Sequence, residues 1–432
     1  MSEPRRNTRR SAAVIGGLSA ALVMSVAATG ASAAPTPVPK PTKISNASCP
    51  STPGVTPTSI NYGYISSRTG PGANTFVGAE EAARLRIAQE NAKGGVFGRK
   101  IIFKGYDDQT NPSSQVSVVQ QAIGNDSFGV STATSTVSGY PTLKDQGVPV
   151  TGFNAQAFGQ DRNAFGVTGP TLPPGIGALG IIQKLQKLGV TRIANINHSS
   201  AGATASGNST SAAIKLVAGI TESLRIADDP QGAHDATSAA LRVKNSNSDG
   251  VIYVGFVEGG ISLAQALAQQ GVKLKGMTIT GLSDPAQLKT TGNTLDGAIG
   301  QGAGTVPVGV NNPAVRTYAN GMKAAGLNPY NTYAPIGYLG ADLFIRGLKE
   351  AGQCPTRQKF IDNLRKVTNY NGGGLVPDRV KYTPGLTPNG DPISCGWYLT
   401  AQGQNLIPDK TATCGATYVD TATGKVVFQG HN

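Results

Sequence analysis

The sequence predicts an α/β chain organised as two doubly wound parallel-sheet lobes joined by a three-crossing hinge. Three observations carry that reading. Short, apolar, β-rich runs alternate with helical periodicity along most of the chain. Small or polar loops stand directly after the strand-like runs. The alternation is interrupted at Pro170–Pro174 and across the Gly-rich strip Leu295–Thr305, where the chain is expected to pass between lobes.

The opening unit sets the pattern. Ile60–Ile65 reads as a strand, Ser66–Gly72 as a small-residue loop, and Val77–Asn91 as a helix with Ala79, Ala82, Ala83 and Ile87 on one face. After the break Lys93-Gly94-Gly95, a second strand runs from Arg99 to Tyr106 and ends on Asp107-Asp108. Two strands joined through a helix form a right-handed βαβ unit with parallel strands. Ligands of such sheets sit beyond the carboxyl ends of the strands, which places Ser66–Gly72, including Arg68 and Thr69, and Asp107-Asp108 at a site. Adjacent residues at a strand end point to opposite faces, so at most one of the two carboxylates faces the crevice. A structural carboxylate capping the neighbouring turn is the favoured role.

The alternation continues. A helix over Pro112–Ile123 is capped by Asn111, and a strand at Phe128–Ser131 leads into the hydroxyl-rich loop Thr132–Thr136. A helix over Gly139–Asp145 and a strand over Val148–Phe153 follow, then Asn154-Ala155-Gln156. Small hydroxyls after a parallel strand suit a carboxylate or amide ligand, and equally suit a helix cap. Gly175–Gly180 spells G-x-G-x-x-G, but prolines precede it and Asn195 and Asn197 stand where a dinucleotide site needs an acid, so that reading is rejected.

The second lobe is expected to use strands at Arg192–Asn197, Leu224–Ala227, Gly250–Gly255 and Met277–Thr280. Their tips carry His198–Gly202, Phe256 and Ser283-Asp284. Helices beginning at Asn312-Pro313 and spanning Tyr333–Ala351 return to the first lobe, and the β-rich tail from Gly372 is expected to finish the second. Lobe 1 is thus 58–168 with 302–371, and lobe 2 is 169–301 with 372–432.

The chain ends address the compartment. Residues 1–33 combine a basic head, an apolar run and Ala31-Ser32-Ala33, the pattern of a cleaved secretory signal. Residues 34–57 are Pro-, Ser- and Thr-rich and read as a disordered lead-in. No other stretch reads as a bilayer span, so the mature chain is expected to be exported and not embedded in a membrane. Its net charge falls from +13 to +10 on signal removal. The charges are scattered without a basic run, which argues against nucleic acid as a partner. Four cysteines in an exported chain suggest two disulfides. Of the three pairings, Cys354–Cys395 with Cys49–Cys414 is favoured, because the first pair flanks the C-terminal segment and the second joins the chain ends. No metal spacing, nucleophile elbow or phosphate loop appears, so neither a cofactor nor an enzymatic reaction is expected. Of the three histidines, His198 stands at a strand tip where it can touch a ligand, while His234 and His431 read as loop and terminus.

These residues also carry a family resemblance. The order of strand, Thr69-Gly70-Pro71 loop, helix ending Glu90-Asn91-Ala92-Lys93-Gly94-Gly95, then Gly98-Arg99-Lys100 before a strand ending Asp-Asp resembles the opening of type I periplasmic solute-binding proteins, in particular the branched-chain amino-acid (Leu/Ile/Val) receptor group of ABC importers. The resemblance implies a monomeric receptor that closes two lobes over a small polar solute and delivers it to an ABC permease. The same scaffold can instead sense a ligand and signal through a partner without transport. By position, Thr134 and Ser135 match the family's hydroxyl contacts, Asn154, Ala155 and Gln156 its next contact loop, and Phe256 an aromatic that closes over the ligand. Ser283 falls where amino-acid receptors place an acid, with Asp284 adjacent and Glu258 one loop away. Ser200-Ala201-Gly202 replaces an aromatic of the family. These departures leave a polar small molecule, amino acid or related, as the implied ligand.

Overall fold

A computed structural model describes residues 49–153, 160–171, 173 and 175–430; the signal and most of the lead-in lie outside them. The first lobe begins with β1 (Ser59–Ser66), α1 (Ala73–Phe76), α2 (Ala79–Ala92), β2 (Lys100–Asp107), α3 (Pro112–Gly124), β3 (Gly129–Ala133), α4 (Tyr140–Asp145), β4 (Val150–Phe153) and β5 (Ala164–Gly166). Its sheet runs β2-β1-β3-β4-β5, parallel throughout. β1 lies inside, covered on both faces. Ile60, Tyr62 and Tyr64 enter one core, and Ile65 enters the core on the other side, as period-two alternation requires.

The second lobe takes β6 (Ile176–Ala178), α5 (Gly180–Lys187), β7 (Arg192–His198), α6 (Ala201–Ile214), β8 (Thr221–Asp229), α7 (Thr237–Asn245), β9 (Gly250–Val254), α8 (Val257–Gln269), β10 (Gly276–Thr280) and β11 (Ile299–Gln301). The chain returns to the first core with α9 (Pro313–Ala324), α10 (Ala334–Ala351) and α11 (Arg357–Leu364), and ends in β12 (Tyr398–Gln402), β13 (Asn405–Pro408), β14 (Thr417–Asp420) and β15 (Val426–Gln429). The second sheet is ordered β13-β12-β11-β10-β9-β7-β8, with the β12–β13 hairpin antiparallel at its edge. β6, β14 and β15 form a small antiparallel sheet of their own. Separate apolar cores cover the two faces of the large second sheet. This is the doubly wound, two-lobed architecture that the alternation of elements predicts.

Helix α10 holds the first lobe together. Nearly its whole circumference is buried, so it is a core helix rather than an amphipathic surface one. Gly337 permits this, because a Cβ there would stand 1.9 Å from the carbonyl oxygen of Ala79 in α2. Bare backbone is therefore needed where the two helices meet. Arg365, at the end of α11, is buried and spends its guanidinium on the carbonyls of Asp161, Arg162, Ala164 and Asn389, tying the far side of β5 to the tail.

Three expectations are corrected. The Gly-rich strip Leu295–Thr305 is not simply a crossing; it first adds β11 to the second sheet and only then turns back. The tail does not leave the first lobe at Gly372, because Leu375, Val376, Val380 and Tyr382 are buried in its core and the second sheet is rejoined only at β12. Burial of apolar side chains outweighs the local turn signals there. The disulfides are Cys49–Cys354 and Cys395–Cys414. Gly396 and Thr413 pair antiparallel at the base of the hairpin, which sets Cys395 beside Cys414, while Cys49 lies by Gln353, just past the end of α10. Chain position alone does not show either approach.

Two outcomes follow from this packing. In Gly337→Ala the methyl group would press on a backbone carbonyl, and unfolding in urea should show a loss of about 3 kcal/mol. Replacing Cys49 and Cys354 by serine opens a crosslink spanning 305 residues, against 19 for Cys395 and Cys414. Loop entropy assigns these losses of about 6 and about 3 kcal/mol, so the first double variant should melt at the lower temperature in calorimetry.

Candidate functional site

In both lobes the parallel strands end on the same edge, so the loops after β1, β2 and β3 converge with those after β7, β9 and β10. On the first lobe the two adjacent carboxylates separate as alternation requires. Asp107 accepts hydrogen bonds from the backbone N–H of Arg68 (2.9 Å), Thr69 (3.3 Å) and Gln109 (2.9 Å) and from the Thr69 hydroxyl (2.7 Å). Burial pushes its pKa up, but these bonds outweigh it and hold the carboxyl below the usual range.

Asp108 is fully buried. It accepts from the hydroxyls of Ser67 and Thr136 (2.7 Å each), from the N–H of Thr110 (3.0 Å) and, more weakly, from Gln115 Nε2 (3.5 Å). Thr134 joins the same network through Ser67 (3.1 Å) and Thr136 (2.8 Å). Of the hydroxyls in the loop after β3, Thr136 therefore holds one of the protein's own carboxylates directly, and Thr134 reaches it through Ser67 and Thr136. Ser135 stands beside them, half-buried. Arg68 is exposed and lies 3.4 Å from Glu80, whose carboxylate also binds Arg84. Asn154, Ala155 and Gln156 lie outside the described residues.

On the second lobe His198 closes β7. Its Nε2 meets the Ser200 hydroxyl at 3.1 Å, and its Nδ1 is buried without a partner. Burial lowers the imidazole to about 4, so the ring is neutral near pH 7. Ser200 is the N-cap of α6, accepting from the Ala203 N–H. Phe256 packs edge-to-face on the His198 ring, with centroids 4.5 Å apart. Gly255 makes room for this, because a Cβ there would press on the His198 and Tyr253 rings.

The two lobes meet at Phe256. Its ring reaches the first lobe, where a Cβ added to Gly72 would lie 3.3 Å from Phe256 Cζ, and the side chain is counted among the first lobe's core. Three residues past Gly72, the Thr75 hydroxyl is buried without a hydrogen bond of good geometry. It faces Glu258, whose carboxyl burial raises above its usual range. Nearby, Ser283 shares a 2.8 Å hydroxyl contact with Thr332, and Thr332 donates to the Gly281 carbonyl at 2.7 Å. Asp284 caps the short 3-10 turn Pro285–Leu288 and accepts from Asn328 Nδ2 at 2.5 Å. The space left between the lobes beside Thr75, Gly255, Asp284 and Thr332 is about 20 Å³, room for roughly one water molecule.

The structure thus joins His198 and Phe256 to the first lobe's loop, and gives Ser283 and Asp284 partners on the segment before α10. Gly72, Thr75, Asn328 and Thr332 were not singled out from sequence. Only the position of Gly72 at the end of a strand-tip loop hinted at its part. Among the described residues no group of histidine, cysteine and acidic side chains could hold a metal ion, and no helix is long and apolar enough to cross a membrane.

A family profile described as periplasmic binding protein matches residues 59–405. No curated protein matches the chain. Among solved structures the chain is similar to a fatty acid ABC transporter substrate-binding protein from Thermomonospora curvata (18% identity, TM-score 0.72, covering 88% of this chain and 97% of that one). It is also similar to a branched-chain amino acid ABC transporter protein from Thermus thermophilus with bound valine (12%, 0.70, 83% and 97%), and to a leucine-binding protein from Thermotoga maritima (16%, 0.68, 81% and 97%). At these identities the likeness establishes the fold, and the profile spans most of the chain. The chain belongs to the periplasmic binding protein family, in the type I architecture it shares with receptors for branched-chain amino acids.

Proposed function

We propose that this protein is an exported receptor that captures a small polar solute, an amino acid or a related molecule, between its lobes and delivers it to an ABC permease. The observation that carries the reading is the contact at Phe256. A large apolar ring from one lobe sits on the bare backbone of the other, close to the buried His198 Nδ1, which lacks a hydrogen-bond partner, and to the first lobe's Thr75 hydroxyl, which faces the Glu258 carboxyl. A buried polar atom left without a hydrogen bond costs about 1–3 kcal/mol. A solute that displaced Phe256 and bonded to His198 Nδ1 would recover that cost, and a further bond to the Thr75 hydroxyl would bridge the lobes, which is what biases a hinge toward closure. The crossings near 167–175, 302–306 and 383–397 form the hinge in this reading. The similar solved structures include one with bound valine, a leucine-binding protein and a fatty acid transporter's binding protein, so the scaffold accommodates varied cargo and the choice of a polar solute rests on these atoms.

Calorimetric titration against a panel of amino acids and related metabolites tests the function directly: one saturable ligand is expected, and none across a broad panel would count against it. The contact itself is tested without ligand. Phe256→Ala should loosen the lobes and raise the radius of gyration in X-ray scattering, whereas an unchanged value would show that the ring does not hold them together.

The buried His198 gives a pH dependence with a definite sign. Its folded pKa of about 4 lies below the ordinary value of 6.5, so the unfolded chain takes up the proton first as pH falls. This contribution to stability is complete above about pH 6.5, declines between there and pH 4, and totals roughly 3 kcal/mol. The difference in urea stability between pH 7.5 and pH 4.5 should therefore narrow by about 2 kcal/mol in His198→Gln.

A further inference from the structure

We propose that the second lobe carries a second binding site, separate from the contact between the lobes, for an amphiphilic organic anion with a long apolar body and a carboxylate head. A cavity of about 1420 Å³ lies between α5, α6, the face of the second sheet formed by β9, β10 and β11, and the segments around Cys395 and Cys414. Its lining is drawn mainly from the second lobe and the segments that join the lobes, with Gln160 of the first lobe at one edge, and includes neither Gly72, Thr75 nor Phe256. Its volume exceeds the roughly 300–1,000 Å³ of ordinary small-molecule pockets, so it suits a body larger than a free amino acid.

Local sequence explains why the space exists. The side of α6 turned to the cavity carries Gly202, Ala205, Ser206 and Ser209, spaced as one helix face and too small to fill it. Opposite them Ile181, Val254 and Tyr398 pack on the lobe's core with one side and remain half-buried, each lining the cavity with the other. Such apolar surface is unfavourable in water and would be covered by an apolar ligand. The disulfide Cys395–Cys414 fixes one wall.

Charge selects the head group. Among the described residues the lining includes two lysines, Lys184 and Lys187, and no aspartate or glutamate. Lys184 is engaged, 2.9 Å from Asp409 and 4.4 Å above the Tyr398 ring. Lys187, at the exposed end of α5, forms no ion pair among the described residues and stands at the mouth. An anion held there leaves its chain to run along α6 into the apolar interior, whereas a cation would meet only like charge.

The test uses the mature chain with its disulfides intact and dodecanoate as probe. Calorimetry should show saturable binding near one per chain, with dodecyltrimethylammonium bound at least tenfold more weakly. Ala205→Trp, which fills the cavity from α6, should weaken dodecanoate at least tenfold; Ser206→Trp makes the same test if that variant fails to fold. Lys187→Gln should weaken it several-fold. A photoreactive, diazirine-bearing dodecanoate should label peptides from 176–187 or 201–214. No saturable binding, equal affinity for the cationic amphiphile, indifference to both tryptophans, or labelling confined to 66–76 and 255–258 would overturn the proposal. The last result would assign the anion to the contact between the lobes, and metabolite binding there is read by a separate titration.

Discussion

Asp108 is a carboxylate without access to water at the tip of a parallel sheet, and the geometry of the first lobe's binding edge depends on it. Ser67 reaches it from the loop after β1, Thr110 from the loop after β2, and Thr136 from the loop after β3. Removing one charge from water is costly unless hydrogen bonds replace the lost hydration, and here three loops supply them. In doing so they are drawn to a common point. A parallel sheet alone only guarantees that these loops leave from the same edge; the shared carboxylate determines how closely they gather.

The same edge carries an opposite kind of contact a few residues away. Phe256, from the second lobe, is buried against Gly72 and the ring of His198. Around it the lobes are also joined by short polar links from Gly281, Ser283 and Asp284 to Asn328 and Thr332. An apolar ring with no strong directional partner can be displaced at modest cost, whereas hydrogen-bonded turns at the periphery keep their register. The combination suits lobes that part and meet again without losing alignment.

Much of this was legible along the chain. Alternating strand and helix patterns identified both doubly wound sheets, because burial on two faces leaves continuous apolar runs that period counting detects. Asn111 and Asn312 before prolines marked helix starts, and both cap as the residue types require. Alternation alone separated Asp107 from Asp108 onto opposite faces, with a structural carboxylate holding the neighbouring turn as the favoured role. Thr134 stands in the loop just past β3, yet its hydroxyl meets those of Ser67 and Thr136, which in turn hold the Asp108 carboxylate, a network no spacing in the sequence discloses. The cysteine pairing failed for a similar reason, since Cys395 and Cys414 are neighbours only once a hairpin has formed between them.

Composition and periodicity determined the class of fold, the order of the strands along the chain and the loops that follow the strands' carboxyl ends. These are local consequences of backbone geometry and side-chain burial. What the tertiary structure decided is which groups meet: Phe256 with Gly72, Asp108 with three loops, and the small face of α6 with a cavity wide enough for a guest. Those contacts join residues far apart in the chain. They arise from close packing of whole elements, and no local pattern encodes the distance between two surfaces that only folding brings together.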